Sequence, residues 1–367
     1  MATVWRKLLF NKPGVRLDLT LQSGQSFRWK ETAPGEWTSV ICGFVWILKQ
    51  LEQGEILYRV YKSSNGPHSS RGKRVLEEVQ ISSESEKDKG SKIYESILRD
   101  YFQVDDVDVE ILFDQWKTSD PHFAKVSDEF RGVRVLRQDP VENLFSFICS
   151  SNNNIPRISG MVEKLCQAYG QKLGELHGVT YFTFPCLKDL TGAKVEENLR
   201  KMGFGYRAKF ISQSACFILK HHDSGWLEKL RSVSYEEAHA ALCELPGVGA
   251  KVADCVCLMS LDKTEAVPVD THVWQLTTKH YMPHLQKTKS LTTKMYKEIG
   301  DHYRFLFGKY AGWAQSVLFT SHLKKFETEN LDIKRKKQSK SNKRSVETES
   351  SSMSSPQPST AKKRKCK

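Results

Sequence analysis

Near Ser96 the apolar residues of this chain change their period. Upstream they alternate. In Arg16 to Leu21, Leu17, Leu19 and Leu21 point one way and Arg16, Asp18 and Thr20 the other, as in a half-buried strand. Phe44 to Leu51 and Glu55 to Tyr61 are β-rich runs joined by Glu52-Gln53-Gly54, which reads as a hairpin. Downstream the spacing is helical. Ile158, Met161, Val162, Leu165, Cys166 and Tyr169 fall on one helix face, as do Ala208, Ile211, Ala215, Ile218 and Leu219. Further helices are expected at about 141–151, 235–243, 249–260, 270–280, 291–307 and 309–322. Strands first and helices after, with no repeat of solenoid length, predict an α+β fold. Its parts are an N-terminal antiparallel β-sheet domain over 1–140 and an all-α domain over 141–325.

Two stretches stand outside that pattern. Residues 62–92 are rich in Ser, Gly, Lys and Glu and read as a mobile surface insertion. Residues 326–367 are Ser-rich and aromatic-poor and read as a disordered basic tail. Lys334-Arg335-Lys336-Lys337 and Lys362-Lys363-Arg364-Lys365 there suggest nuclear import, with a merely solvated charge run as the plainer alternative. The basic N-terminus leaves a mitochondrial form open. The net charge of the 367 residues is +13. The tail holds 12 Lys/Arg and 5 Asp/Glu, so +7 of that excess lies in it and +6 in the body. Such a balance favours a polyanionic partner, most simply nucleic acid. No run reaches the roughly 18 apolar residues of a membrane span, so no membrane partner is expected. The nine cysteines form no Cys-x-x-Cys pair and read as reduced thiols of an intracellular protein.

One segment narrows the function. Leu245-Pro246-Gly247-Val248-Gly249-Ala250-Lys251 lies between two apolar helical patterns, Tyr235 to Cys243 and Gly249 to Leu258. Pro246 stops the first helix, and Gly247 and Gly249 permit backbone angles closed to other residues. The product is a tight turn that presents backbone N–H groups at a helix start. That geometry favours an anion, most simply a DNA phosphate, which it positions without reading a base. An ordinary helix–turn–helix with glycines for close packing is the plainer alternative. Lys251 opens the second helix, and a neutral lysine amine can attack carbon. Downstream lies Val267-Pro268-Val269-Asp270-Thr271-His272. Asp270 reads as a helix N-cap or as a carboxylate facing cationic charge on a sugar ring. The hairpin and Lys251 in the same chain favour the second reading.

The hairpin, Lys251 and the Val-Pro-Val-Asp segment resemble the helix–hairpin–helix DNA glycosylase superfamily. Within it, four further stretches are similar to the eukaryotic 8-oxoguanine DNA glycosylase/AP lyases. They are Ser23-Gly24-Gln25-Ser26-Phe27-Arg28-Trp29, Cys149-Ser150-Ser151-Asn152-Asn153-Asn154-Ile155, Gly205-Tyr206-Arg207-Ala208 and Tyr310-Ala311-Gly312-Trp313-Ala314-Gln315. The resemblance runs from about Trp5 to Leu323 with the motifs in the family's order. It implies a helix–hairpin–helix at 235–260 and a bifunctional repair enzyme. The implied partner is double-stranded DNA holding 8-oxoguanine paired with cytosine. The lesion would be flipped into a pocket, at a cost of roughly a few kcal/mol that pocket contacts offset. Lys251 would attack C1′ of the sugar, the base would depart, and the resulting Schiff base would cleave the strand 3′ by β-elimination. Asp270 would stabilise the oxocarbenium-like transition state.

The same resemblance implies the remaining site. Gly24 would offer its carbonyl to the N7 hydrogen that 8-oxoguanine has and guanine lacks. Phe319 and Cys255 would sandwich the base, and Gln315 would read its Watson–Crick edge. Asn152 would fill the vacated space in the duplex, with Tyr206 wedged beside it. Arg157 and Arg207 would hold the orphaned cytosine. His272 and the backbones of Gly247 and Gly249 would contact phosphate. By residue type alone, plainer readings stand beside these: a turn glycine, core residues, a cap and solvated charges. Only Cys366 lies beyond Cys257, so the four-cysteine iron–sulfur cluster of some relatives has no ligands here. The expectation is therefore a monomer without metal or cofactor. Two rivals stay open: a glycosylase for another lesion, such as an oxidised pyrimidine, and a module that binds damaged DNA without cutting it.

Overall fold

Alternating side chains and tight turns build the first sheet. Its strands are β1 (Arg6–Leu8), β2 (Lys30–Ala33), β3 (Glu36–Ile41), β4 (Phe44–Gln50), β5 (Ile56–Ser63) and β6 (Leu76–Glu78). All pairings are antiparallel in the order β1-β5-β4-β3-β2, with β6 also on β5. The expected hairpin is β4–β5, in which Val45 faces Tyr61 and Gln50 faces Ile56. Period two sends Trp46 and Leu48 to one face, where they pack with Leu98 and Phe102. Val45 and Ile47 go to the other, with Tyr61 and Leu173. This computed structural model describes residues 5–8, 14–63, 76–79, 84–288 and 290–324.

Three expectations change here. Arg16 to Leu21 is not a strand. Leu17–Thr20 is a single helical turn, α1, closed by the Leu21 N–H on the Leu17 carbonyl at 2.9 Å. Apolar residues at i and i+4 fit both a strand and a turn, so six residues could not separate the two periods. Leu17 and Leu21 enter the sheet core, whereas Leu19 enters the helical one. Second, the stretch read as a mobile insertion, 62–92, contains β6 and the start of α2 (Glu84–Phe102). Its charged residues propagate a helix well even without an apolar stripe. The rest of that stretch, 64–75 and 80–83, lies outside the described residues.

The helical half consists of α3 (Val109–Ser119), α4 (Pro121–Val126), α5 (Pro140–Ile148) and α6 (Ile155–Tyr169), then α7 (Val195–Lys201), α8 (Arg207–His221) and α9 (Trp226–Lys229). It continues with α10 (Tyr235–Cys243), α11 (Ala250–Ser260), α12 (Thr271–His280), α13 (Thr293–Phe307) and α14, at 311–324. The third change is that it is not all-α. β7 (Lys172–Leu176) and β8 (Val179–Phe182) form a hairpin between α6 and α7. Its turn is His177-Gly178, with φ of 51° and 77°, the left-handed pair that a two-residue hairpin favours.

One helical core takes in Leu19, Phe27 and buried residues from Val107 to Leu318, so α3 and α4 pack there although they precede residue 140. At its centre lies α11, whose residues Val252 to Ser260 are all buried. Only the first turn of α11 approaches solvent, and that turn carries Lys251. These elements, with α14 as far as Ser321, belong to one compact unit, Met1–Ser321. A second unit, His322–Lys367, is described only at 322–324, so the basic tail lies outside the described residues. No helix among the described residues is long and apolar enough to cross a membrane.

Candidate active site

The α10–α11 connection is the turn that its glycines predict. Val248 N–H bonds to Leu245 O at 3.0 Å, and Ser214 Oγ donates to Pro246 O at 2.8 Å. Gly247 has φ +82°, and a Cβ there would stand 2.3 Å from Phe210 Cγ. Glycine is required twice, for conformation and for space. Gly249 is the N-cap of α11. Among the described residues, neither the Gly247 nor the Gly249 N–H hydrogen-bonds to the chain. Two backbone donors beside the positive end of a helix make an anion site.

Lys251 is half-buried one residue inside α11. Its Nζ donates to Ser150 Oγ at 3.2 Å and lies 4.7 Å from the centroid of the Phe147 ring. Ser150 Oγ in turn donates to Phe147 O at 2.7 Å. One turn along α11, Cys255 is 2% exposed. Burial pushes its thiol up to about 11; the Lys251 charge pulls the other way and Asp270 adds to the rise. Lys251, Cys255 and Asp270 therefore share one electrostatic neighbourhood. Asp270 is indeed the N-cap of α12: its Oδ1 accepts from Val273 N–H at 2.9 Å. Capping uses one carboxylate oxygen and leaves Oδ2, so the two readings of Asp270 are compatible. His272, on the first turn of α12, meets Phe319 of α14 edge-on, with centroids 6.2 Å apart.

Gly24 is held by its neighbours. The Gln25 amide donates to Ser23 Oγ at 3.0 Å and to Arg134 O at 2.8 Å, and accepts from Leu136 N–H at 2.9 Å. Arg134, 3% exposed, donates to Phe102 O at 2.6 Å and to Val107 O at 2.7 Å. Within that frame Gly24 adopts φ +76°, 3.1 Å (by a hypothetical Cβ) from Ile155 Cδ1 at the start of α6. The bend that carries Gly24 thus lies beside the first residue of α6, which follows the Asn152 loop.

That loop is rigidly tied. Asn153 Nδ2 donates to Cys149 O at 2.9 Å, and Asn154 caps α6 by accepting from Arg157 N–H at 3.1 Å. The cap is Asn154 rather than Asn152, which is exposed with φ +47°. Tyr206 OH donates to Ser151 O at 3.0 Å, and Arg207 Nη2 to Ser151 O and, at 3.1 Å, to Asn152 O. Arg207 lies 4.6 Å from the Tyr206 ring centroid. The structure therefore brings Asn152, Tyr206 and Arg207 together. Tyr206 is 47% exposed, and Arg207 is 3% exposed, with Nη2 occupied by backbone. Arg157 is exposed, and its side chain makes no hydrogen bond or ion pair among the described residues. Gln315 is 4% exposed, and its amide has no hydrogen-bond partner among the described residues.

Sequence reasoning passed over two residues. Ser150 was visible only as part of its Ser-Ser-Asn run. Asp254, 1% exposed, was legible as the one acidic residue within an otherwise uncharged buried helix stretch. A separate cavity of about 580 Å³ is lined by Arg28, Cys42, Arg137, Asp139, Glu142 and Cys186 among others. None of the expected site residues lines it. Among the described residues no cluster of His, Cys, Asp and Glu is placed to hold a metal ion.

Comparison with known proteins assigns the chain to a family. Residues 7–144 match the family model described as the 8-oxoguanine DNA glycosylase N-terminal domain. Residues 145–301 match the HhH-GPD superfamily of base excision DNA repair proteins. The chain is 37% identical over 321 residues to the N-glycosylase/DNA lyase OGG1 of Arabidopsis thaliana, covering 87% of this chain and 80% of that protein. It is 36% identical over 354 residues to the N-glycosylase/DNA lyase of Saccharomyces cerevisiae, covering 88% and 87%. Among solved structures it resembles the Clostridium acetobutylicum 8-oxoguanine glycosylase/lyase bound to double-stranded DNA with cytosine opposite 8-oxoG. That likeness has a TM-score of 0.68 at 26% identity and covers 88% of this chain and 98% of the other. The chain therefore belongs to the 8-oxoguanine DNA glycosylase family of helix–hairpin–helix base excision enzymes, as an N-glycosylase with DNA lyase activity.

Proposed function

We propose that the enzyme excises 8-oxoguanine opposite cytosine and cleaves the abasic product through an imine on Lys251. The observation that carries this reading is the Lys251 amine at the mouth of α11, held by Ser150 Oγ at 3.2 Å, with Asp270 and Cys255 in its field. In this mechanism Nζ attacks C1′ as the glycosidic bond breaks and the base takes its electron pair. The free Asp270 oxygen faces the positive charge that develops on the sugar. The amine on C1′ expels the ring oxygen to give the imine, and loss of a C2′ proton then breaks the C3′–O bond. Water then hydrolyses the imine and regenerates the lysine amine, so the chain, the DNA and water complete the reaction without a cofactor.

Recognition divides between the two halves. The Gly24 carbonyl accepts from the lesion's N7–H, and the unpartnered Gln315 amide reads its pairing edge. Phe319 and Cys255 enclose the ring. On the duplex side, Asn152 enters the gap, Tyr206 wedges, and Arg157 and Arg207 address the cytosine. Gly247, Gly249 and His272 hold phosphates. One chain carries the whole set, which supports a monomer. The two basic clusters of 326–367 support nuclear import, with a mitochondrial form as a second destination.

The test is borohydride trapping on an 8-oxoguanine:cytosine duplex. A covalent complex mapping to Lys251 is expected, and Lys251→Gln should lose excision and trapping while still binding lesion DNA. Normal turnover by Lys251→Gln would overturn the imine. Lesion release without trapping would assign the attack to water.

A further inference from the structure

Asp254 stands three residues after Lys251 on α11 and is 1% exposed. Among the described residues no lysine or arginine pairs with it; hydroxyls hold it instead. Tyr235 OH donates to Oδ1 at 2.6 Å, Tyr296 OH donates to Oδ2 at 2.5 Å, and His239 Nε2 lies 3.8 Å from Oδ1. Desolvating a carboxylate costs roughly several kcal/mol, and for the core alone an apolar residue of that volume is often as good or better. What the carboxylate gains is control of one hydroxyl.

Tyr296 has a single hydroxyl proton and two acceptors within reach, Asp254 Oδ2 at 2.5 Å and Val267 O at 3.5 Å. Asp254 Oδ2 is the nearer acceptor and takes the proton. The lone pairs of Tyr296 then accept Val269 N–H at 3.3 Å. Pro268 offers no N–H. Among the described residues, the Tyr296 hydroxyl is the only hydrogen-bond partner of residues 267–269. Asp270 follows immediately. The helix that carries Lys251 thus fixes, through Asp254 and Tyr296, the segment that delivers Asp270.

We propose that Asp254 and Tyr296 are a positioning pair that sets where the Asp270 carboxylate stands relative to Lys251. This rests on the glycosylase reading and deepens it. Tyr235 binds the other oxygen of Asp254 from α10 and, among the described residues, makes no hydrogen bond to residues 267–269, so it is the matched control.

The experiment compares the full-length wild type with Tyr296→Phe, Asp254→Asn and Tyr235→Phe. Two rates are measured in single turnover: release of 8-oxoguanine from its duplex, and borohydride trapping on a preformed abasic site. The second needs the lysine but no glycosidic bond cleavage. Tyr296→Phe and Asp254→Asn are expected to slow base release by roughly tenfold to a hundredfold, the scale of a misplacement near 1 Å. Their trapping on the abasic site should stay within about threefold of wild type, and Tyr235→Phe within about twofold on both readouts. A purely structural role would lower both rates together and make Tyr235→Phe behave like Tyr296→Phe. That pattern, or wild-type base release by Tyr296→Phe, overturns the proposal. Asp254→Asn keeps the size of the side chain and supplies a folded variant if the phenylalanine packs badly. A wild type that neither releases 8-oxoguanine nor traps would instead refute the glycosylase reading.

Discussion

Gly247→Ala is the sharpest test of how the hairpin works. The substitution meets two obstacles. At φ +82° an alanine backbone sits in a region that costs about 1–3 kcal/mol for a side-chain-bearing residue. Its Cβ would also lie 2.3 Å from Phe210 Cγ and 2.5 Å from Cδ2, against the usual 3.5–4.0 Å, so the ring must move by more than about 1 Å. Overpacking of that kind costs about 1–3 kcal/mol more. The sum is a loss of about 2–6 kcal/mol in unfolding free energy, read from equilibrium urea titrations. Phe210 also meets the Tyr206 ring edge-on, with centroids 5.9 Å apart, so displacing it disturbs a side chain proposed to face the duplex. Affinity for undamaged duplex should therefore fall along with stability. A double-mutant cycle with Phe210→Ala separates the two costs. If the clash matters, the pair is less unstable than the sum of the singles by about 1 kcal/mol or more. A loss under about 1 kcal/mol for Gly247→Ala, or strict additivity in the cycle, would refute the steric argument.

Arg157→Ala and Arg207→Ala should both relax the preference for cytosine opposite the lesion, measured as excision ratios across the four opposite bases. Only Arg207→Ala should also lower stability, by about 1–3 kcal/mol, because it leaves the Asn152 carbonyl without its donor and Ser151 O with Tyr206 OH alone. Gln25→Ala removes the amide that joins Ser23, Arg134 and Leu136, and should cost about 2–4 kcal/mol in urea unfolding. It should also narrow the kcat/KM ratio between 8-oxoguanine and guanine, since it frees the Gly24 backbone. Deleting residues 326–367 should leave excision in vitro unchanged and reduce nuclear accumulation of a fluorescent fusion.

Much of the architecture was legible because it follows from period and punctuation. The β4–β5 hairpin, α5, α6, α8 and α10 to α14 lie where apolar spacing puts them. Pro246, Gly247 and Gly249 mark the turn without any tertiary information. What failed to read was set by partners distant in sequence. Leu17 to Leu21 became a helical turn because its two ends serve the sheet core while Leu19, between them, serves the helical one. The β7–β8 hairpin has only four or five residues per strand and is held against the sheet by Leu173. For the site, Lys251 and Asp270 stood out through their motif and the family resemblance. Ser150 and Asp254 did not, because a buried hydroxyl or carboxylate acquires a role only when its partners fold around it. Ser150 lies 101 residues from the amine it touches.

The Asn152 loop takes its shape from bonds within the chain. Asn153, Asn154, Tyr206 and Arg207 fasten its backbone. Binding a duplex therefore requires little ordering of the chain at this point, and the heat-capacity change of association should reflect buried interface rather than coupled folding. With Asn152 entering the duplex as proposed, a stiff loop also shortens each encounter with an undamaged pair. Nothing has to refold before release, and the time spent on each wrong pair is set by the DNA's own bending.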